Sequence, residues 1–134
     1  MNIKLDEDTL RLMNVFSTAT GITPRDCLLV DDKIVFVVSQ GQAGIAIGKS
    51  GVKIKVLQAM LKKEIMVIEY SDDPVKFVEN FVRPNRLISG YMTVEPGSEK
   101  EVHASIDGRV SGMKVKLLKT LMQRYFNIMN INIK

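Results

Sequence analysis

The stretch Ile47-Gly48-Lys49-Ser50-Gly51-Val52-Lys53-Ile54-Lys55-Val56-Leu57 joins a short apolar run to a lysine-rich helical pattern. Two glycines three residues apart let the backbone turn tightly with no Cβ atoms in the way. A phosphate chain can then approach peptide N–H groups, and the helix that follows presents its positive end to it. A second stretch, Gly112-Met113-Lys114-Val115-Lys116-Leu117-Leu118, repeats the apolar–lysine alternation at an offset of 61 residues from Gly51 to Gly112. A duplicated glycine–lysine helix start points to two modules that grip a sugar–phosphate backbone.

The distribution of charge agrees. The net charge of the 134 residues is only +4, but the cations are segregated. Lys49, Lys53, Lys55, Lys62 and Lys63 follow the first turn with no acid among them. Arg109, Lys114, Lys116, Lys119, Arg124 and Lys134 follow the second, again without an acid. The acids gather elsewhere, at Asp6 to Asp8, Asp31–Asp32, Asp72–Asp73 and Glu95 to Glu101. Cations centred on two glycine turns suit an anionic polymer better than the net charge does.

A hydrophobic content of 46% is enough for a buried core, so an α+β globular chain is expected rather than disorder. No apolar run approaches the roughly 20 residues that cross a bilayer, and the N-terminal residues 1–7 lack the basic start and apolar run of a secretory signal. The single cysteine, Cys27, cannot form an internal disulfide, so a reducing cytoplasm is the expected compartment and no membrane partner is expected. One histidine and one cysteine offer no zinc site, and the eight methionines read as core filler. His103 stands alone in a predicted strand, and no nucleophile–base or paired-carboxylate arrangement is legible. Neither an enzymatic role, a cofactor nor a small-molecule substrate is expected.

Apolar spacing predicts a helix over Asp6 to Ala19, stopped by Gly21, then a hairpin from Cys27–Val30 and Ile34–Val38 around Asp31-Asp32-Lys33. A short helix over Ala43 to Ile47, the glycine turn, a helix from Val52 to Lys62 and a strand from Ile65 to Tyr70 complete the first half. The second half reads as a helix opened by Pro74, strands over Arg86–Val94 and Val102–Ile106 separated by Pro96-Gly97-Ser98, a helix from Met113 to Tyr125 and a strand over Ile128–Ile133. The expected division is residues 1–72 for a first module and 73–134 for a second. Ala43 to Ser50 also fits a loose phosphate-loop pattern of nucleotide hydrolases. Its mostly apolar interior, its missing first glycine and the loss of the Gly-Lys-Ser triplet in the downstream copy all weigh against that.

With this element order, the segment Ala46 to Lys55 resembles the GXXG segment of KH domains, and the chain as a whole resembles the archaeal NusA-like transcription factors. Val67-Ile68-Glu69-Tyr70-Ser71-Asp72-Asp73-Pro74 carries the resemblance further, as does Arg124-Tyr125-Phe126-Asn127-Ile128, where asparagine replaces the family's glycine. The resemblance implies two tandem type II KH domains, each a helix–GXXG–helix unit on a three-stranded sheet. It also implies single-stranded RNA bound beside the turn, about four nucleotides per module, in transcription elongation or termination. Ribosome or stable-RNA maturation is the alternative setting. The polymerase-binding and OB-type domains of bacterial relatives do not fit in 134 residues, and RNA polymerase is carried as a candidate partner.

The expected RNA contacts are Gly48 and Gly51 for backbone approach, with Lys49, Ser50, Lys53 and Lys55 beside them, and Ile47, Val52 and Val56 as an apolar floor. In the second module they are Arg109, Gly112, Lys114 and Lys116. There the glycines of Gly108-Arg109-Val110-Ser111-Gly112 stand four apart, Asp107 adds a negative charge, and the short preceding helix is expected to be lost. Aromatic residues are only 6% of the chain and none lies in the first turn, so stacking platforms are not expected there.

Overall fold

The computed structural model describes residues 3–4, 7–97 and 99–134. Asp6, at the expected start of the first helix, and Ser98, in the expected Pro-Gly-Ser turn, lie outside these, as do Met1, Asn2 and Leu5. The chain divides into two compact units, Met1–Tyr70 and Ser71–Lys134.

In the first unit, β1 (Ile3–Lys4), α1 (Glu7–Thr20), β2 (Asp26–Val30) and β3 (Lys33–Val38) lead to α2 (Ala43–Ile47). A single 3-10 turn (Lys49–Gly51), α3 (Val52–Leu61) and β4 (Glu64–Glu69) follow. The sheet order is β1-β2-β3-β4, with β2 and β3 antiparallel and β3 and β4 parallel, Phe36 opposite Val67. The sheet therefore has four strands rather than three, because Ile3 and Lys4 pair with Val30 and Leu29. A two-residue strand is too short to show period-two alternation, so the sequence pattern had no means of revealing it. Asp31 takes up the positive φ of the hairpin turn, where a short polar side chain is tolerated.

The helices cover one face of this sheet. Phe16 of α1 stacks on Phe36 of β3 with ring centroids 4.2 Å apart. Cys27, Ile34, Val38, Ala46 and Leu57 close the core around that pair. Burial, reinforced by the neighbouring Asp26 carboxylate, pushes the Cys27 thiol up to about 12. It stays protonated at neutral pH and acts as a small apolar residue.

The second unit comprises α4 (Pro74–Phe81), β5 (Arg86–Thr93), β6 (Glu101–Asp107), α5 (Gly112–Phe126) and β7 (Asn130–Ile133), with sheet order β5-β6-β7. Its β6–β7 pair is again parallel. Asp73 caps α4, accepting a hydrogen bond from the Val75 N–H, and Pro74 occupies the first turn, as the sequence signal required. Val102, Ala104 and Ile106 alternate inward along β6, and Leu118, Leu121 and Met122 of α5 are buried as well. Asn127 ends α5 in the left-handed region (φ 54°, ψ 36°). Glycine serves there most freely and asparagine next, which accounts for the Asn in place of the family's Gly.

In the second unit one strand bound differs from the expectation, and the short helix before the turn is absent as expected. Ile128 is a buried residue ahead of β7, not part of it. Only residues 108–111 separate β6 from α5, too few for a helix, so this unit is strand–turn–helix where the first is helix–turn–helix.

Since Phe36 is fully buried and stacked, Phe36→Ala is expected to destabilise the chain by about 3–5 kcal/mol. Chemical denaturation followed by circular dichroism measures the loss.

Candidate nucleic-acid interface

The first glycine turn is built from backbone conformations that side chains resist. Gly48 sits at φ 80°, ψ 172°, Ser50 at φ 55° and Gly51 at φ 73°. The Gly48 conformation is essentially reserved to glycine. A Cβ added there would meet the Lys53 side chain at 2.9 Å, whereas one on Gly51 would find nothing within 4 Å. Gly51 is the N-cap of α3 and carries no side-chain cap, so the first turn of α3 meets solvent without a side-chain acceptor. That is the local electrostatic requirement for an anion at a helix start.

Beside the turn lies an open groove of about 270 Å³, lined by Ile47, Gly51, Ile54, Lys55, Gln58, Ile65 and Val67. Its walls are the end of α2 and one face of α3 on one side and β4 on the other. β4 is a sheet edge among the described residues. Gln58 Oε1 accepts a hydrogen bond from the Ile65 N–H at 3.2 Å across the base of the groove. Lys49 and Ser50 are exposed at the turn, and Lys55 is exposed on the groove wall.

Other residues singled out in the sequence are placed differently. The Lys53 ammonium donates to the Thr20 carbonyl at 3.0 Å and to the Ile45 carbonyl at 3.1 Å. It thereby ties α3 to the last residue of α1 and to α2, where helix carbonyls carry partial negative charge. Val52 and Val56 line a separate cleft of about 500 Å³ between α1 and α3, with Val15, Ala19 and Met60. That cleft is larger than the groove, but its surface is mostly apolar and its one lining cation is the engaged Lys53, so it does not suit a polyanion. The groove floor comes instead from Ile54, Ile65 and Val67.

The second unit has a corresponding groove of about 400 Å³ between α5 and β7, lined by Arg109, Val110, Val115 and Lys119 and by Ile131 to Lys134. Val115 and Lys119 occupy the places of Ile54 and Gln58 at the same offset of 61. A cation thus replaces the amide that bridges the first groove. The sequence reading had passed over Lys119; the repeat offset was the available signal. The turn itself is closed differently. Ser111 caps α5, its Oγ accepting from the Lys114 N–H at 3.3 Å, and Asn85 Nδ2 donates to the Arg109 carbonyl at 3.0 Å. Gly112 is the first residue of α5, and Lys114 and Lys116 follow it without lining the groove.

Residues 12–117 match the model of the KH domain family. The chain is 31% identical over 99% of both chains to the "Probable transcription termination protein NusA" of Halobacterium salinarum. It is 28% identical to the protein of the same description in Thermoplasma acidophilum, over 98% of this chain and 96% of that one. The crystal structure of APE1850 superposes with a TM-score of 0.77 at 29% identity, covering 97% of this chain and all of that one. The chain belongs to the KH domain family of RNA-binding proteins, among its archaeal NusA-like members.

Lys53→Met keeps the aliphatic stem but removes both hydrogen bonds to helix carbonyls. It is expected to lower stability by about 1–2 kcal/mol, the range for bonds made by a charged donor at a partly exposed site. Lys49→Met, at an exposed position with no such bonds, should leave the melting temperature within error. Thermal unfolding of the two variants side by side checks the contrast.

Proposed function

We propose that this protein is a non-enzymatic factor that binds single-stranded RNA in the groove between α3 and β4 and acts in transcription elongation or termination in the cytoplasm. One observation carries the RNA reading: the glycine turn opens an α-helix N-terminus that no side chain caps, directly beside an apolar groove. A phosphate on the N–H groups of that turn would leave its bases over Ile54, Ile65 and Val67. Exposed Lys49 at the turn and Lys55 on the α3 wall would neutralise the backbone. The turn holds no aromatic ring, so base discrimination there would come from hydrogen bonds over an aliphatic floor.

The transcriptional setting is supported by similarity to relatives described as transcription termination proteins, and RNA polymerase is the protein partner it implies. The second groove contributes through Arg109 and Lys119, with Lys114 and Lys116 as outlying cations. A phosphate at its turn would have to displace Ser111 from the helix cap, which makes the first module the stronger site. No helix among the described residues is long and apolar enough to cross a membrane.

Gly51→Asp is the sharpest test, because aspartate tolerates the left-handed region and meets no neighbour there. It sets a negative charge where phosphate should lie. Affinity for a labelled short oligoribonucleotide, read by fluorescence anisotropy, should fall at least about tenfold while the fold persists. Unchanged affinity in the folded variant would exclude the groove. In the wild-type protein, log affinity should fall with log salt at a slope of about −2, from roughly three phosphate contacts at about 0.7 each.

The cellular setting has its own expected outcome: tagged protein should co-purify with RNA polymerase rather than with ribosomal particles. Enrichment with ribosomal particles alone would favour a role in stable-RNA maturation.

A further inference from the structure

The helices of the second unit cover one face of its sheet; the opposite face is open and carries a pair of aromatic rings. Tyr91 of β5 and His103 of β6 are direct cross-strand partners. Their rings stack with centroids 4.7 Å apart and planes within 14°. His103 is mostly covered, whereas Tyr91 is 57% exposed, so the stack ends in solvent at the tyrosine. Beside it is a small recess of about 170 Å³, lined by Ser89, Ser105, Asn132 and Lys134 together with the two rings. A cavity of about 150 Å³ suffices for one benzene ring, so the recess has room for a single planar heterocycle.

We propose that this sheet face is a second nucleic-acid contact, in which an unpaired RNA base stacks on Tyr91. It builds on the reading of the chain as an RNA binder but uses a surface remote in sequence from the first glycine turn. The chemistry of the face favours a base over an apolar protein segment. Two hydroxyls and a carboxamide can meet the polar edge of a base, and Lys134 supplies a cation for the adjoining phosphate. An apolar segment docked in the recess would leave those polar side chains without partners. Glu101 Oε1 lies 3.8 Å from His103 Nε2, so the partly covered imidazole already has a neighbour of its own. The tyrosine is left as the ring a ligand meets. Stacking of this kind tolerates any base, so the platform would add grip, with sequence preference left to the grooves.

The test uses the full chain with a short single-stranded oligoribonucleotide. Tyr91→Ala, on an exposed strand, should fold as the wild type does and lose at least about fivefold in affinity, the lower end for one base stacked on an aromatic ring. Tyr91→Phe should retain binding. The sequence has no tryptophan, so Tyr91→Trp introduces a unique fluorophore, and added RNA should quench it. Quenching that persists when Gly51→Asp is combined with Tyr91→Trp would place the contact on the sheet, independent of the groove. Full affinity in Tyr91→Ala together with an unquenched indole would overturn the platform, even if Gly51→Asp still abolished binding and upheld the groove. Loss of affinity on Tyr91→Ala with none on Gly51→Asp would uphold the platform and remove the groove.

Discussion

Each unit is organised around a parallel pair of strands, β3 with β4 and β6 with β7. Parallel neighbours cannot be joined by a tight hairpin; the chain must leave one end of the sheet and return to the other over a covering helix. In the first unit that return is made by α2, the glycine turn and α3. The bend between two helices is thereby forced to the rim of the sheet, next to the edge strand β4. The groove lies between the crossover helix and that edge strand. Phe16, Phe36, Leu57 and Ile65 then hold the helical layer against the sheet and keep the walls apart.

Within that frame, two devices decide what the turn can do. Positive φ at Gly48, Ser50 and Gly51 folds the chain back on itself and leaves α3 without a side-chain cap. Lys53 closes the other side, bonding carbonyls of Thr20 and Ile45 that would otherwise face solvent or a ligand as negative charge. The start of α3 therefore carries no side-chain acceptor, and two neighbouring helix carbonyls are engaged by Lys53. The second unit solves the same geometry with a shorter connection. Lacking a helix before the turn, it caps α5 with Ser111 and steadies the loop through Asn85, and its positive character moves into the groove at Arg109 and Lys119. The repeat preserved the frame while the chemistry of the two turns diverged.

Much of the architecture was legible because its signals are local. The apolar spacing of α1, the Pro74 start of α4 and the β-branched run of β3 follow from periodicity and backbone preference, properties of a few adjacent residues. The glycine turn was legible for the same reason. What escaped were relations between distant residues. Lys53 reads as one more surface lysine until α1 ends 33 positions earlier within reach of its ammonium. Val52 and Val56 looked like groove floor, yet helical rotation carries them to the other side of α3.

His103 and Tyr91 show the division most plainly. In the sequence one is a solitary histidine and the other a tyrosine twelve residues before it, with nothing to connect them. The antiparallel register of β5 and β6 sets them directly opposite, and the sheet's alternation turns both rings to the uncovered face. By itself the sequence determined the two modules, their longer elements and the first glycine turn, because backbone conformation and hydrophobic period are encoded locally. Tertiary structure alone decided which lysines remain free for a ligand, which apolar side chains line the groove, and that two rings form a stack. Those are outcomes of strand register and helix packing, which no short stretch of sequence contains.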